Sequence, residues 1–149
     1  MAGVAPVTAF RFERAWDVAA APDVVREILL DLERYPEWWP QVRAVAKIDD
    51  DTARVLCRST LPYVLDLVLH ADERGAEVLR TSISGDLTGW SAFRVRPGGA
   101  GTHVAYEQEV VVAHRALSLA SRLLRPLLRW NHDRMMAGCR EGLLSRVDV

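Results

Sequence analysis

The first part of the chain alternates between apolar and polar residues. Phe10 and Phe12 share one parity, and Arg11 and Glu13 share the other. A period of two is typical of a strand that is buried on one face only. The pattern predicts a strand over residues 8–16.

Helical spacing follows this strand. Pro22 and Asp23 are typical of a first helical turn. The apolar residues after them recur at intervals of three and four: Val24, Val25, Ile28, Leu29 and Leu32. The next segment, YPEWWPQV, places prolines on both sides of Trp38 and Trp39 and predicts a short turn. One tryptophan is expected to fill the core and the other to lie at the opening of a pocket; the alternative is that both only pack.

After Val42 the period changes to two and stays there. The pattern predicts strands over residues 42–48, 53–60, 63–71, 77–84, 87–96 and 102–112. Short turn signals such as DDD at residues 49–51 and PGGAG at residues 97–101 separate them, which predicts an antiparallel meander. A long helix is predicted over residues 115–146, kinked or divided by Pro126 near residues 123–125.

These elements predict an α+β fold with a single domain over residues 1–149. A seven-stranded curved antiparallel sheet would grip the C-terminal helix, and two short helices would follow the first strand. A strongly twisted sheet that curls around a helix can leave a cavity inside the curl.

Composition narrows the function classes. The chain has 149 residues, of which 50% are hydrophobic and 26% charged, and its net charge is −1. A charge near zero gives no general attraction to nucleic acid or to an anionic membrane. There is no apolar run of about 20 residues that could span a bilayer, and no secretion signal, so we expect a cytoplasmic protein. Cys57 and Cys139 stand far apart and are expected to be buried free thiols.

The inward face of the last helix contains an asparagine. At about 100° per residue, the positions within about 60° of Leu124 are Leu117, Ala120, Leu127, Leu128, Asn131, Met135, Gly138, Cys139 and Gly142. Asn131 therefore faces the sheet, His132 lies at the side of this face, and Asp133 points to solvent. A buried amide needs partners, so Asn131 is either bonded to a strand or to the backbone near Trp39, or it anchors a ligand.

Two further features of this helix have alternative interpretations. Gly138 and Gly142 either allow close approach of the helix to its neighbours or leave room for a ligand. Arg122, Arg125 and Arg129 suggest contact with a membrane surface or RNA, but acidic and neutral residues lie between them. We favour a solvated helix face for these arginines.

Five segments together resemble the START, or helix-grip, superfamily, which includes birch-pollen-type allergens and polyketide cyclase/dehydrase proteins. They are RYPEWWPQV (34–42), LPYVLDLVL (61–69), GDLTGWSAFRVRP (85–97), GTHVAYEQEV (101–110) and RWNHDRMMAGCREGL (129–143). The similarity is closest to bacterial stand-alone members. It implies a tunnel between sheet and helix that binds apolar molecules such as lipids, sterols, quinones or polyketides; only some members are catalytic.

The candidate ligand-binding residues follow from the more apolar parity of each strand and from the helix face. They are Trp39, Tyr63, Leu65, Leu67, Leu69, Phe93, Tyr106, Gln108, Leu124, Leu128, Asn131 and Met135. The strand over residues 77–84 is ambiguous, since either Leu79, Thr81 and Ile83 or Val78, Arg80 and Ser82 could face inward. An inward Arg80 would be an unpaired buried charge, which is very costly.

Evidence for catalysis is weak. The sequence contains no HExxH, GxSxG, GxGxxG or phosphate-binding loop, and no Cys/His cluster. We expect no metal and no cofactor. Tyr106, Asn131 and His132 are the candidate catalytic residues, because a hydroxyl and an amide can stabilise an enol.

Three hypotheses remain. The first is a carrier of a small hydrophobic ligand, as a monomer or homodimer that neither binds nucleic acid nor inserts stably into membranes. The second is a polyketide cyclase or dehydratase that acts on a bound aromatic precursor. The third is a quinone-binding or ribosome-associated interaction module.

Overall fold

Seven strands form one antiparallel sheet. The computed structural model describes residues 9–112 and 123–148. The strands are β1 (Ala9–Val18), β2 (Val42–Lys47), β3 (Thr52–Cys57), β4 (Leu65–Arg74), β5 (Val78–Gly85), β6 (Leu87–Gly98) and β7 (Gly101–Val112). Their order in the sheet is β1-β7-β6-β5-β4-β3-β2. The predicted meander is confirmed from β2 to β7, and β1 pairs with the last strand of the meander.

Three helices lie in the described part of the chain. They are α1 (Pro22–Leu30), α2 (Tyr35–Trp38) and α3 (Arg125–Val147), with a short 3₁₀ turn at Leu32–Arg34 before α2. Pro22 lies in the first turn of α1, where its missing N–H needs no partner. The predicted class is confirmed: an α+β fold with a curved antiparallel sheet, two short helices after the first strand and a long C-terminal helix.

The alternation of apolar and polar residues places the core. On β1, Phe10 and Phe12 are buried, while Arg11 and Glu13 are exposed. On β7 the buried residues are Thr102, Val104, Tyr106, Gln108 and Val110. Because successive side chains of a strand point to opposite faces, these residues lie on one face of the sheet.

The orientation of β5 answers the question about Arg80. Leu79 and Ile83 are buried, so their set faces inward, and Arg80 is exposed. The Arg80 guanidinium lies 4.3 Å from the centre of the Trp90 ring. A cation over an aromatic face is a favourable contact that stays open to water, so no charge is buried here.

Helix α3 begins at Arg125, and Pro126 lies in its first turn rather than in its interior. The part of the helix prediction that covers residues 115–122 lies outside the described residues. Leu124 and Leu127 were expected on the buried face but are 47% and 41% exposed. That expectation is wrong, because the first turn of α3 lies against the end of β1, through Arg125, and the buried face begins further along the helix.

Two arginines near the start of α3 cover the edge of the sheet. Arg125 and Arg129 donate hydrogen bonds to the carbonyl oxygens of Ala9 and Arg11 on β1. Their guanidinium groups also lie over the rings of Phe10 and Phe12. Edge strands expose unpaired carbonyl groups, and these contacts satisfy two of them. Arg122 lies outside the described residues.

The two glycines of α3 lie where this helix packs against α2 and the residues that follow α2. A Cβ atom at Gly142 would overlap the main-chain oxygen of Trp38, and one at Gly138 would overlap the side chain of Gln41. The structure therefore supports close packing as the reason for both glycines. The two cysteines, Cys57 and Cys139, are buried and free, as predicted.

Candidate functional site

A cavity of about 290 Å³ lies between the sheet and α3. Its walls come from residues of β2 to β7, from α1, the 3₁₀ turn and α2 with the residues next to them, and from α3. Most of the wall is apolar or aromatic: Leu29, Leu30, Leu32, Tyr35, Trp39, Val42, Ala53, Val55, Cys57, Leu65, Leu67, Leu69, Ala71, Leu79, Ile83, Leu87, Phe93 and Met135. A concave apolar surface with a few polar groups is the usual make-up of a small-molecule site.

Nine of the predicted site residues line this cavity. They are Trp39, Leu65, Leu67, Leu69, Phe93, Tyr106, Gln108, His132 and Met135. The other four, Tyr63, Leu124, Leu128 and Asn131, are not among the residues of its wall. Tyr63 is exposed in the loop between β3 and β4, and Leu128 packs at the margin of the core.

Asn131 has a structural role. Its side-chain oxygen accepts a hydrogen bond of 2.9 Å from the Leu61 N–H, and its main-chain oxygen accepts one of 3.0 Å from the Ser59 hydroxyl. Both bonds attach the loop between β3 and β4 to α3. The buried amide oxygen is thus satisfied by the protein, as one alternative proposed, although by a loop rather than by a strand or by Trp39.

Both tryptophans are buried, and Trp39 is part of the cavity wall. Trp38 is buried against α3 at Gly142, and its ring stacks on that of Trp39. Trp39 lines the cavity, and its indole N–H donates a 3.0 Å hydrogen bond to the main-chain oxygen of Met135. This bond fixes the Trp39 ring as part of the wall next to α3.

A row of uncharged polar residues crosses the cavity wall. Thr81 on β5 is directly opposite Ser91 on β6, and Ser91 is opposite Gln108 on β7. All three line the cavity. We call Thr81, Ser91 and Gln108 the polar stripe. The sequence leaves the orientation of Thr81 ambiguous, and only the register of three strands aligns Thr81 and Ser91 with Gln108.

Tyr106 and His132 extend the polar stripe. The Tyr106 hydroxyl donates a hydrogen bond to Oε1 of Gln108, and Nε2 of His132 lies 3.3 Å from the same oxygen. Because an amide oxygen only accepts, Nε2 carries the proton and Nδ1 does not. Nδ1 is buried and has no hydrogen-bond partner among the described residues. The imidazole also stacks on the Phe12 ring, with 3.5 Å between ring centres.

The polar groups of this cluster are uncharged at neutral pH. Burial, and then the positive charges of Arg14 and Arg129, lower the pKa of His132 to about 3. Burial raises the pKa of the Tyr106 hydroxyl above its usual range. His132 is therefore a weak base, and Tyr106 stays protonated. The cluster can donate and accept hydrogen bonds without carrying charge.

Among the described residues that line the cavity, the charged ones lie at its opening. All nine are exposed, and we call them the rim: Asp31, Glu33, Lys47, Asp49, Asp50, Asp51, Glu73, Arg74 and Arg80. They come from the end of α1, the 3₁₀ turn, the hairpins β2–β3 and β4–β5, and β5. Sequence reasoning treated the DDD segment only as a turn signal, because hairpin pairing alone does not show what a turn faces.

Most cations at the rim are already paired. Lys47 lies 3.4 Å from Asp50, and Arg74 lies 2.6 Å from Asp51. Outside the rim, Arg34 pairs with Asp31 at 3.1 Å. Within the part of the chain that the structure describes, Glu33, Asp49 and Glu73 have no ion-pair partner. The rim therefore has an excess of negative charge.

A family model for polyketide cyclase/dehydrase and lipid transport proteins matches residues 9–143. The comparison with curated protein sequences gives no match. The described residues contain no helix that is both long and apolar enough to cross a membrane.

Solved structures share the fold at low sequence identity. A Thermus thermophilus protein has a TM-score of 0.76 and 19% identity, covering 94% of this chain and 97% of that one. The ZhuI aromatase/cyclase of Streptomyces sp. R1128 has a TM-score of 0.75 and 15% identity, with 95% and 94% covered. A START superfamily protein of Mycobacterium smegmatis has a TM-score of 0.69 and 19% identity, with 93% and 97% covered. Because the family model matches residues 9–143, the chain belongs to the polyketide cyclase/dehydrase and lipid transport family.

Proposed function

We propose that the protein binds a small hydrophobic ligand in the cavity between the sheet and α3. The observation that carries this proposal is the cavity itself, about 290 Å³ with a mostly apolar wall. An empty apolar cavity of this size would cost about 7 kcal/mol at about 24 cal/mol per Å³. That cost is comparable to the whole stability of a domain, so a ligand or water is expected to fill the space.

The arrangement of the wall supports a specific site rather than a packing defect. Leu65, Leu67 and Leu69 provide an apolar surface on β4, while Gln108 and Tyr106 provide hydrogen-bonding groups on β7. Apolar contacts supply affinity and the few polar groups fix the orientation of a ligand.

A larger side chain that fills the cavity should weaken ligand binding. We expect wild-type protein to bind 1-aminoanthracene, an uncharged fluorescent probe, and Ala53→Phe to bind it at least tenfold more weakly. Ala53 is buried and lines the cavity, so the added ring occupies the volume of the probe. The measurement is a fluorescence titration, supported by native mass spectrometry of the purified protein for a co-purified apolar molecule.

Ala46→Phe is the matched control, since Ala46 lies on β2 and is exposed. It should retain the wild-type affinity. Wild-type protein that binds no probe and carries no molecule would contradict the proposal, as would equal loss of affinity in both variants.

A second candidate function is ring closure of a poly-β-ketone. It is favoured by the position of the Tyr106 hydroxyl, which lies in the cavity next to Gln108 and His132. If its bond to Gln108 opens, the hydroxyl can donate a hydrogen bond to an enol oxygen instead. His132, with a pKa of about 3, is a poor general base at neutral pH. This weak basicity makes binding the better-supported function.

The second candidate has its own test. With a linear poly-β-ketone thioester as substrate, Tyr106→Phe should lower the rate of cyclised product formation at least tenfold. Tyr63→Phe, at an exposed tyrosine outside the cavity wall, is the control and should be as active as wild type. Product that forms equally fast with and without protein would exclude the enzymatic function.

A further inference from the structure

We infer that the cavity selects uncharged, oxygen-bearing apolar molecules and rejects their carboxylate or phosphate counterparts. The inference rests on the proposed binding function and names the ligand class of that same site. Two independent features carry it: the uncharged polar stripe inside the cavity and the excess of carboxylates at its rim. Each feature excludes one of the two orientations in which an anionic amphiphile could bind.

An anion is not expected to enter head first, because no cationic side chain belongs to the described inner wall; Arg14 and Arg129, whose charges lower the pKa of His132, are not wall residues. The uncharged polar groups on the described part of the wall include those of Thr81, Ser91, Tyr106, Gln108 and His132. Three further wall residues, Tyr35, Trp39 and Thr52, are also uncharged, and their polar groups already have hydrogen-bond partners in the protein. The His132 ring is neutral at physiological pH. A carboxylate moved from water into such a site loses its hydration and gains no counter-charge, which is strongly unfavourable.

The same groups suit an uncharged ligand. Hydroxyls and amides donate and accept hydrogen bonds, so they can pair with a carbonyl or hydroxyl group of a ligand. Thr81, Ser91 and Gln108 are aligned across three adjacent strands. Since neighbouring strands are about 4.8 Å apart, the polar stripe can contact oxygens at several positions of one ring system.

An anion that binds tail first would place its charge at the rim. Six of the nine rim residues are acidic, and two of the three cations already pair with rim carboxylates. The third cation, Arg80, stacks on Trp90. The hydrogen bond from the Asp51 N–H to Oδ1 of Asp49 lowers the pKa of Asp49, which keeps this carboxyl group ionised. An anionic head group therefore meets like charges, and the repulsion weakens with added salt.

Two probes of equal ring size test the inference. We expect 2-anthracenemethanol to bind at least tenfold more tightly than 2-anthracenecarboxylate at pH 7, measured by fluorescence titration or calorimetry. Equal affinity, or tighter binding of the carboxylate, would overturn the inference while the proposed function stands. If neither of these probes nor 1-aminoanthracene binds to the protein, the proposed function is refuted and the inference with it.

Substitutions at the rim measure how much its carboxylates contribute to the preference for the uncharged probe. Glu33→Gln, Asp49→Asn and Glu73→Gln in one protein should narrow the affinity ratio of the two probes about threefold at low ionic strength, and less at high salt. The control removes three exposed carboxylates that are not part of the cavity wall, by Glu27→Gln, Glu77→Gln and Glu141→Gln. It should leave the ratio unchanged. An equal change in both variants would show that total charge, and not the rim, sets the preference, and would overturn this part of the inference.

Discussion

Replacing Gly142 with alanine should lower the free energy of unfolding by about 2–3 kcal/mol, the upper part of the range that is typical of overpacking. A Cβ atom at this position would overlap the main-chain oxygen of Trp38. Main-chain atoms move only if the whole α2 segment moves, and Trp38 is itself buried and stacked on Trp39. The better helix propensity of alanine, up to about 1 kcal/mol, is too small to offset this clash. Chemical denaturation measures the change.

Gly138→Ala is the matched control, four residues earlier on the same face of α3. Its Cβ would meet only the end of the Gln41 side chain. Oε1 of Gln41 is buried without a hydrogen-bond partner in the described part of the chain, so rotating it away breaks no such bond. We expect a change within about 0.5 kcal/mol, or a gain up to about 1 kcal/mol from helix propensity. Equal destabilisation by both substitutions would show that the close approach of α2 is not what requires Gly142.

Acid should destabilise the protein through His132. The pKa of His132 is about 3 in the folded chain, against an ordinary value of 6.5. Below pH 6.5 the unfolded chain binds a proton that the folded chain does not, so stability falls as the pH is lowered from 6.5 towards 3. From pH 7 to pH 5 the loss from this one group is about 2 kcal/mol. Above pH 6.5 its contribution is constant.

The measurement compares the pH dependence of unfolding in wild type and in His132→Phe. A phenylalanine ring can keep the stacking on Phe12 and cannot be protonated, so the variant should lose about 2 kcal/mol less between pH 7 and pH 5. His70→Phe, at an exposed histidine, should behave like wild type. If the free energy of unfolding depends on pH in the same way in His132→Phe and in wild type, the conclusion that His132 is neutral in the folded protein is wrong.

The inward face of the strands was predictable, because the period of side chains in a strand is fixed. The choice of Leu65, Leu67 and Leu69 over Asp66 as inward residues needed only the alternation of apolar and polar residues. The same rule could not orient β5, where both parities contain apolar residues. Pairing with β6, which places Thr81 opposite Ser91, resolves that ambiguity.

The role of Asn131 was less predictable. Helical geometry correctly placed it on the buried face, where it is 8% exposed. Whether its amide contacts a ligand or the protein depends on the path of the loop between β3 and β4, which brings the Leu61 N–H to it. That loop is distant in sequence, and periodicity contains no information about it.

The sequence by itself determined the elements, their antiparallel order and the apolar character of the inner face, since these follow from local periodicity and short turns. Only the tertiary structure decided which inward residues surround a cavity and which ones pack. It also aligned Thr81, Ser91 and Gln108, joined Tyr106 and His132 to them, and brought the carboxylates of separate hairpins to one opening. The physical reason is that contacts between distant segments depend on strand register and on how the curved sheet meets α3.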